Sequence, residues 1–304
     1  MKVMYNNYHT KFILSPICNI LRETVTACTG ISNGVETQSL CEYVLQTTFL
    51  KMTGASEQKL KCICWEIATY DYEYRHRYLR KNYGECSRYA DKNSIYIDLK
   101  TEITKIDETF SISSIFDDID ISTKVSIYVY DKIIKKAIKN QQKKVDKKLT
   151  PESIQKMIDG MQNYYSKRGL CEEETIRLKK TELLMMKYKE LVSILDTSLL
   201  SIWKQHEYNF FKTTWNDFLS INFATNELFD SDLQTIYETI VYNHRNRCAH
   251  NLTSYQNNLP TLKSLLNPNF DYENYFFRFL ILILIDDIFI RLYRKFLSLA
   301  DSIV

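Results

Sequence analysis

An arginine, an amide and a histidine stand within six residues in Arg245-Asn246-Arg247-Cys248-Ala249-His250. Together they carry the groups needed to move a proton beside a phosphate. Histidine titrates near neutrality and serves as general acid or base. Arginine keeps its charge and offers phosphate oxygens a planar fork of donors. The amide of Asn246 can orient the imidazole or a phosphate oxygen, and Arg247 adds a further phosphate contact. This set suits attack of a ribose 2′-hydroxyl on the adjacent phosphodiester, where charge gathers on the phosphorane oxygens. The reaction asks for no metal, and the sequence has no carboxylate cluster or His/Cys spacing typical of one. Spacing alone is thin evidence. Chance gives roughly 0.6 Arg–His pairs at five to seven residues in this composition, and roughly 0.05 once asparagine must follow the arginine. The plainer alternative is a surface arginine and a helix-terminal histidine favoured by the C-terminal dipole.

The motif closes an amphipathic helix. Asp230-Ser231-Asp232 is a start signal, and Leu233, Ile236, Tyr237, Ile240, Val241 and His244 trace one face toward Cys248. His244 on that apolar face reads as a core or interface residue rather than a ligand. Arg245 follows Val241 by four residues and so lies beside the stripe. Asn246 and His250 share a face, whereas Arg245 and His250 stand about 140° apart on a regular helix. Those two meet only in a cleft that straddles the helix end, such as one against a symmetry mate, or if the last turn unwinds. A connection over 251–269 leads to a final helix from about Tyr272 to Ala300, apolar on most faces and therefore central.

Upstream, Glu173 to about Leu200 and then Leu200–Phe223 have helical periodicity. Residues 36–83 read as a helical hairpin joined at Gly54-Ala55, with Ser56 as an N-cap. Its end carries Arg75, Arg77, Arg80 and Lys81 among tyrosines, a strip able to stack bases and hold phosphates, or else a solvated face with half-buried tyrosines. Residues 1–35 read as irregular around a short helix near Ile17–Thr26. Ser94–Leu99 and Lys124–Tyr130 alternate and are rich in β-branched and aromatic residues, as a small β-hairpin or as extended segments crossing a bundle. The lysines from Lys135 to Lys148 either guide RNA or form a solvated charge run, and 131–172 reads as a solvated insert. The organisation expected is therefore 1–84, an N-terminal helical hairpin; 85–172, a partly extended, Lys-rich insert; and 173–304, the C-terminal helical part bearing the motif.

Composition narrows the class. Four prolines and six glycines are too few for the turns of an all-β sandwich or barrel. A net charge of +3, from 40 basic and 37 acidic residues, is no global basic excess, so RNA contacts must be local. The eight cysteines include no CxxC pair and read as reduced fillers of helix faces. The polar N-terminus has no apolar signal core, so a cytoplasmic protein is expected. In Arg278–Ile285 seven apolar residues follow the arginine, far fewer than the ~20 a membrane span requires.

Arg245-Asn246-x3-His250 resembles the Arg-polar-x3-His signature of HEPN ribonucleases, α-helical bundles of bacterial toxin, abortive-infection and antiphage systems. The resemblance covers about residues 230–300, with a looser helical match at 36–83. It implies a HEPN-like bundle with a central insert, in which Arg245, Asn246 and His250 are catalytic and Glu42 is a supporting acid on an early helix. It also implies a metal-independent endoribonuclease leaving a 2′,3′-cyclic phosphate, without a cofactor. The partners implied are an RNA substrate, a second copy of the chain completing a composite cleft, and a cognate antitoxin or sensor protein. The alternative is a non-catalytic helical interaction module of such a defence or toxin–antitoxin complex.

Overall fold

Helices are the only regular elements among the described residues, and the protein is mainly α-helical. The computed structural model describes residues 7–31, 34, 37–80, 84–122, 171–198, 205–218, 223, 226–250 and 273–303, with single positions between 152 and 160. Two compact units divide the chain, one formed by Met1–Ser111 with Leu184–Val304 and the other by Ile112–Leu183.

The first unit opens with α1 (Tyr8–Leu14), capped by Asn7, whose side chain accepts from the Thr10 amide at 2.6 Å, and α2 (Cys18–Ala27). The short helix expected near Ile17–Thr26 is α2, and α1 is a second helix in a stretch read as irregular. Next comes α3 (Gln38–Tyr70), a single 33-residue helix. The expected break at Gly54-Ala55 is not there. Leu45, Phe49, Met52, Ile63 and Ile67 are fully buried along one continuous stripe spanning the glycine. Burying each such side chain contributes roughly 1.5–3 kcal/mol, more than the ~1 kcal/mol a mid-helix glycine costs. Ser56 is accordingly buried inside the helix and caps nothing. The helix stops at Asp71, where the backbone turns extended and the carboxylate accepts from the Glu73 amide at 2.8 Å, starting α4 (Tyr72–Arg80).

Residues 94–99 correct the strand reading, since they lie inside α5 (Tyr89–Ile106). The apparent alternation of Ile95, Ile97 and Leu99 does not survive packing. Ile95, Tyr96, Leu99 and Ile103 are buried while Ile97 is 41% exposed, a helical period rather than a two-residue one. Lys124–Tyr130, the other half of the expected hairpin, lies outside the described residues, as do the lysines from Lys135 to Lys148.

The centre of this unit is α10 (Tyr275–Ile303), buried without interruption from Asn274 to Asp286 and packed against α1, α3 and α5. Two charges inside it are anchored. Asp286 pairs with Lys59 of α3 at 2.7 Å and accepts from the Ile17 amide at 2.8 Å. Arg278 donates from Nε to the Ile240 carbonyl at 3.0 Å. Before α10 the chain forms α6 (Glu172–Asp196), α7 (Gln205–Phe218), α8 (Ser231–Ile236), a π-helical turn (Tyr237–Tyr242) and α9 (Asn243–His250).

In the second unit a 3-10 turn (Ile112–Phe116) precedes Asp117, which pairs with Lys179 at 3.0 Å, and Ser122, whose amide and hydroxyl both donate to Glu182. None of the described helices is long and apolar enough to cross a membrane. All eight cysteines are free of disulfides, and seven are buried.

Candidate active site

Asp230 starts the motif helix by accepting from the Leu233 amide at 3.0 Å. The π turn over Tyr237–Tyr242 then widens the helix just before α9. Arg278, 3% exposed, donates from Nε to the Ile240 carbonyl of this turn at 3.0 Å, so a core cation fastens the widened segment to α10. Burial pushes that guanidinium down to about 10.

On α9, which packs on α3, Arg245 meets Glu57 side-on. Its Nε and Nη2 donate to the two carboxylate oxygens at 3.2 and 3.1 Å, and its Nη1 donates to Asn246 Oδ1 at 3.3 Å. The side chains of the pair are 22% and 12% exposed, so the contact sits at the rim of the core. With three of five guanidinium N–H groups used, two remain without an acceptor among the described residues. Asn246 lies one turn after Tyr242 on the same helical segment, and the Tyr242 hydroxyl accepts from Arg88 Nε at 3.2 Å. Asn246 and then Arg88 hold the Tyr242 phenol below its ordinary value.

The loop that delivers Arg88 is pinned from below. Cys86 is held in the left-handed region at φ 59°, and its carbonyl accepts from the buried Lys92 ammonium at 2.8 Å. The Tyr237 hydroxyl donates to the Ser87 carbonyl at 2.8 Å, and Glu238 accepts from the Tyr89 amide at 2.8 Å. Burial pushes Lys92 down to about 8, opposed by the charge of Glu57.

The other side of α9 is drier. The His244 ring lies 5.2 Å from those of Phe49 and Tyr275, accepts from Arg247 at Nδ1 (3.3 Å) and meets the Cys248 sulfur at Nε2 (3.4 Å). Burial, with the charges of Arg278 and Arg247, pushes its pKa down to about 2, so it is neutral. Among the described residues no three metal-ligating side chains come together.

No protein-family profile, curated protein or solved structure matches this chain.

Of the residues singled out by sequence, Arg245 and Asn246 are neighbours in one hydrogen-bonded chain. His250 is the last residue of α9, and its side chain lies outside the described residues. Because α9 stays helical to that point, the last turn does not unwind. Arg247 turns away from Arg245, toward His244 and Glu273. Glu42 is exposed near the start of α3, where its charge reaches Cys248 and Tyr275. The acid that holds Arg245 is instead Glu57, 15 residues and about 22 Å along the same helix. Reading Ser56-Glu57 as a helix start concealed it, since an acid in a first turn calls for no partner. Of the basic strip, Arg75 and Arg80 are exposed, Arg77 donates to Glu102 at 2.9 Å, and Lys81 lies outside the described residues. The cation beside Tyr242 is Arg88, hidden within a segment read as partly extended. A shallow groove lined by Lys100, Thr104, Asn226 and Glu227 shares no residue with this cluster.

Proposed function

We propose that the chain is a metal-independent, HEPN-type endoribonuclease that acts as a homodimer and serves as a bacterial toxin or antiphage effector. The observation that carries this reading is the arrangement of Arg245, aimed by Glu57 and Asn246 at the end of the helix that terminates in His250. Arg245 then stabilises charge on the phosphorane, His250 is the acid or base, and Asn246 accepts from the arginine. Glu57 acts as a positioning residue. Since positions 245 and 250 stand about 140° apart on the intact helix, one composite cleft draws the two residues from two copies of the chain. Cytoplasmic RNA is the substrate, and a cognate antitoxin or sensor protein restrains the enzyme.

Growth arrest on expression tests the reading. Arrest that disappears in both Arg245→Ala and His250→Ala, with folded protein still accumulating, is the expected outcome. Undiminished arrest in His250→Ala contradicts it.

A second reading has one observation in its favour. Glu57 already neutralises Arg245 at the rim of the core, as a structural ion pair would. On that view the chain is a non-catalytic helical module, Arg245→Ala lowers stability, and wild-type protein leaves RNA intact.

A further inference from the structure

We propose that Arg88 and the Tyr242 hydroxyl, one helical turn before Asn246, form a subsite that grips a backbone phosphate of the RNA strand next to the one being cleaved. The choice of RNA as ligand rests on the ribonuclease reading; the two residues are drawn from the geometry alone. Asn246 receives Arg245 Nη1 on its carbonyl oxygen and lies one helical turn after Tyr242. Tyr242 accepts from Arg88 Nε. A phenol that accepts from an arginine keeps its own proton to donate elsewhere. Arg88 is exposed, its guanidinium 5.9 Å over the Tyr242 ring, and only its Nε is engaged among the described residues. Four further N–H donors therefore remain to it.

Charge points the same way. Arg245 shares its charge with Glu57, whereas Arg88 has no carboxylate within ion-pair distance among the described residues. Asp91 and Glu238 act on it only through their charge, and Glu238 is tied to the Tyr89 amide. Arg88 is also the residue preceding the first turn of α5, an 18-residue helix whose positive end adds to the field. The face thus presents donors and uncommitted positive charge, which suits the two non-bridging oxygens of a phosphodiester. Being exposed, it favours a polyanion that makes several contacts at once over a free phosphate ion.

The test is binding of a fully 2′-O-methylated RNA oligonucleotide, which cannot be cleaved by its own 2′-oxygen, by fluorescence anisotropy across a salt series. Arg88→Ala is expected to weaken binding about tenfold and to lower the slope of log affinity against log salt by about one. Arg88→Gln, which keeps a donor for Tyr242 but no charge, should lose the same slope. Tyr242→Phe should cost about threefold, since it removes one neutral donor. Thermal unfolding confirms that each variant is folded. Wild-type affinity and slope in Arg88→Ala and Arg88→Gln overturn the subsite, as does a wild-type protein that fails to bind the oligonucleotide. If binding depends on Arg88 but unmodified RNA stays intact, the ribonuclease reading fails and the subsite stands. If RNA is cleaved and binding ignores Arg88, the reverse holds.

Discussion

Arg245 is a cation whose direction is set by a carboxylate on another helix. A guanidinium left to solvent samples many rotamers; one clamped side-on at two nitrogens presents its remaining edge in a fixed direction. Glu57→Gln keeps the shape but weakens the clamp. It is expected to lower stability by about 1–2 kcal/mol, as loss of a charge-assisted pair at a half-buried site does, and to cut RNA cleavage at least tenfold. Unchanged turnover in a folded Glu57→Gln protein would remove the positioning role. His244 makes a separate test in pH. Its folded pKa is depressed to about 2 from an ordinary 6.5, so below pH 6.5 the unfolded chain takes up a proton that the folded one refuses. The stability contribution is present in full above 6.5 and is lost as pH falls toward the folded value. At pH 5 the loss is about 2 kcal/mol. Chemical denaturation at pH 7 and pH 5 should therefore show wild type losing about that much more than His244→Gln. Equal losses would mean that the imidazole is not held neutral. At this scale the motif itself was legible in the sequence, because Arg245 and Asn246 are adjacent. Glu57 and Arg88 were not, for they reach the site only through tertiary packing, 188 residues away in one case.

At the scale of elements, periodicity served where one buried face ran the length of a helix and misled where local residues competed with packing. The final helix was legible because Phe276–Ile285 is apolar apart from Arg278. Gly54 and the β-branched run at 94–99 were misread because propensity is a weak force beside burial. In α3 the stripe from Leu45 to Ile67 carries the helix through its glycine. That glycine is exposed, and a Cβ built on it meets no atom within 4 Å. Gly54→Ala should then raise stability by about 0.5–1 kcal/mol, by lowering the entropy of the unfolded chain without a clash. A destabilised Gly54→Ala protein would argue that α3 is broken at this position. The π turn is a different matter. No sequence signal announced it, because its wide turn is stabilised from outside, by Arg278 on the Ile240 carbonyl and by Glu238 and Tyr237 on the loop before α5.

For the whole molecule, scarcity of glycine and proline was enough to give the mainly helical class. The way the chain closes on itself was less accessible: α5 packs with α3 and α10, although its sequence suggested an extended insert. The proposed chemistry asks for two copies, since positions 245 and 250 stand about 140° apart on an unbroken helix. Sedimentation at micromolar concentration should accordingly give about twice the 36.1 kDa of the chain. A strictly monomeric species that still cleaves RNA would dismiss the composite cleft. The proposed reaction, in which Arg245 and His250 cut RNA with the strand's own 2′-hydroxyl, is tested most directly by cleavage by purified protein, in excess EDTA, of an end-labelled oligoribonucleotide and of its all-deoxy counterpart. Cleavage of the ribo strand only, products ending in a 2′,3′-cyclic phosphate, and no cleavage by His250→Ala are the expected results. Activity that EDTA abolishes, that persists in His250→Ala, or that extends to the deoxy strand would contradict it.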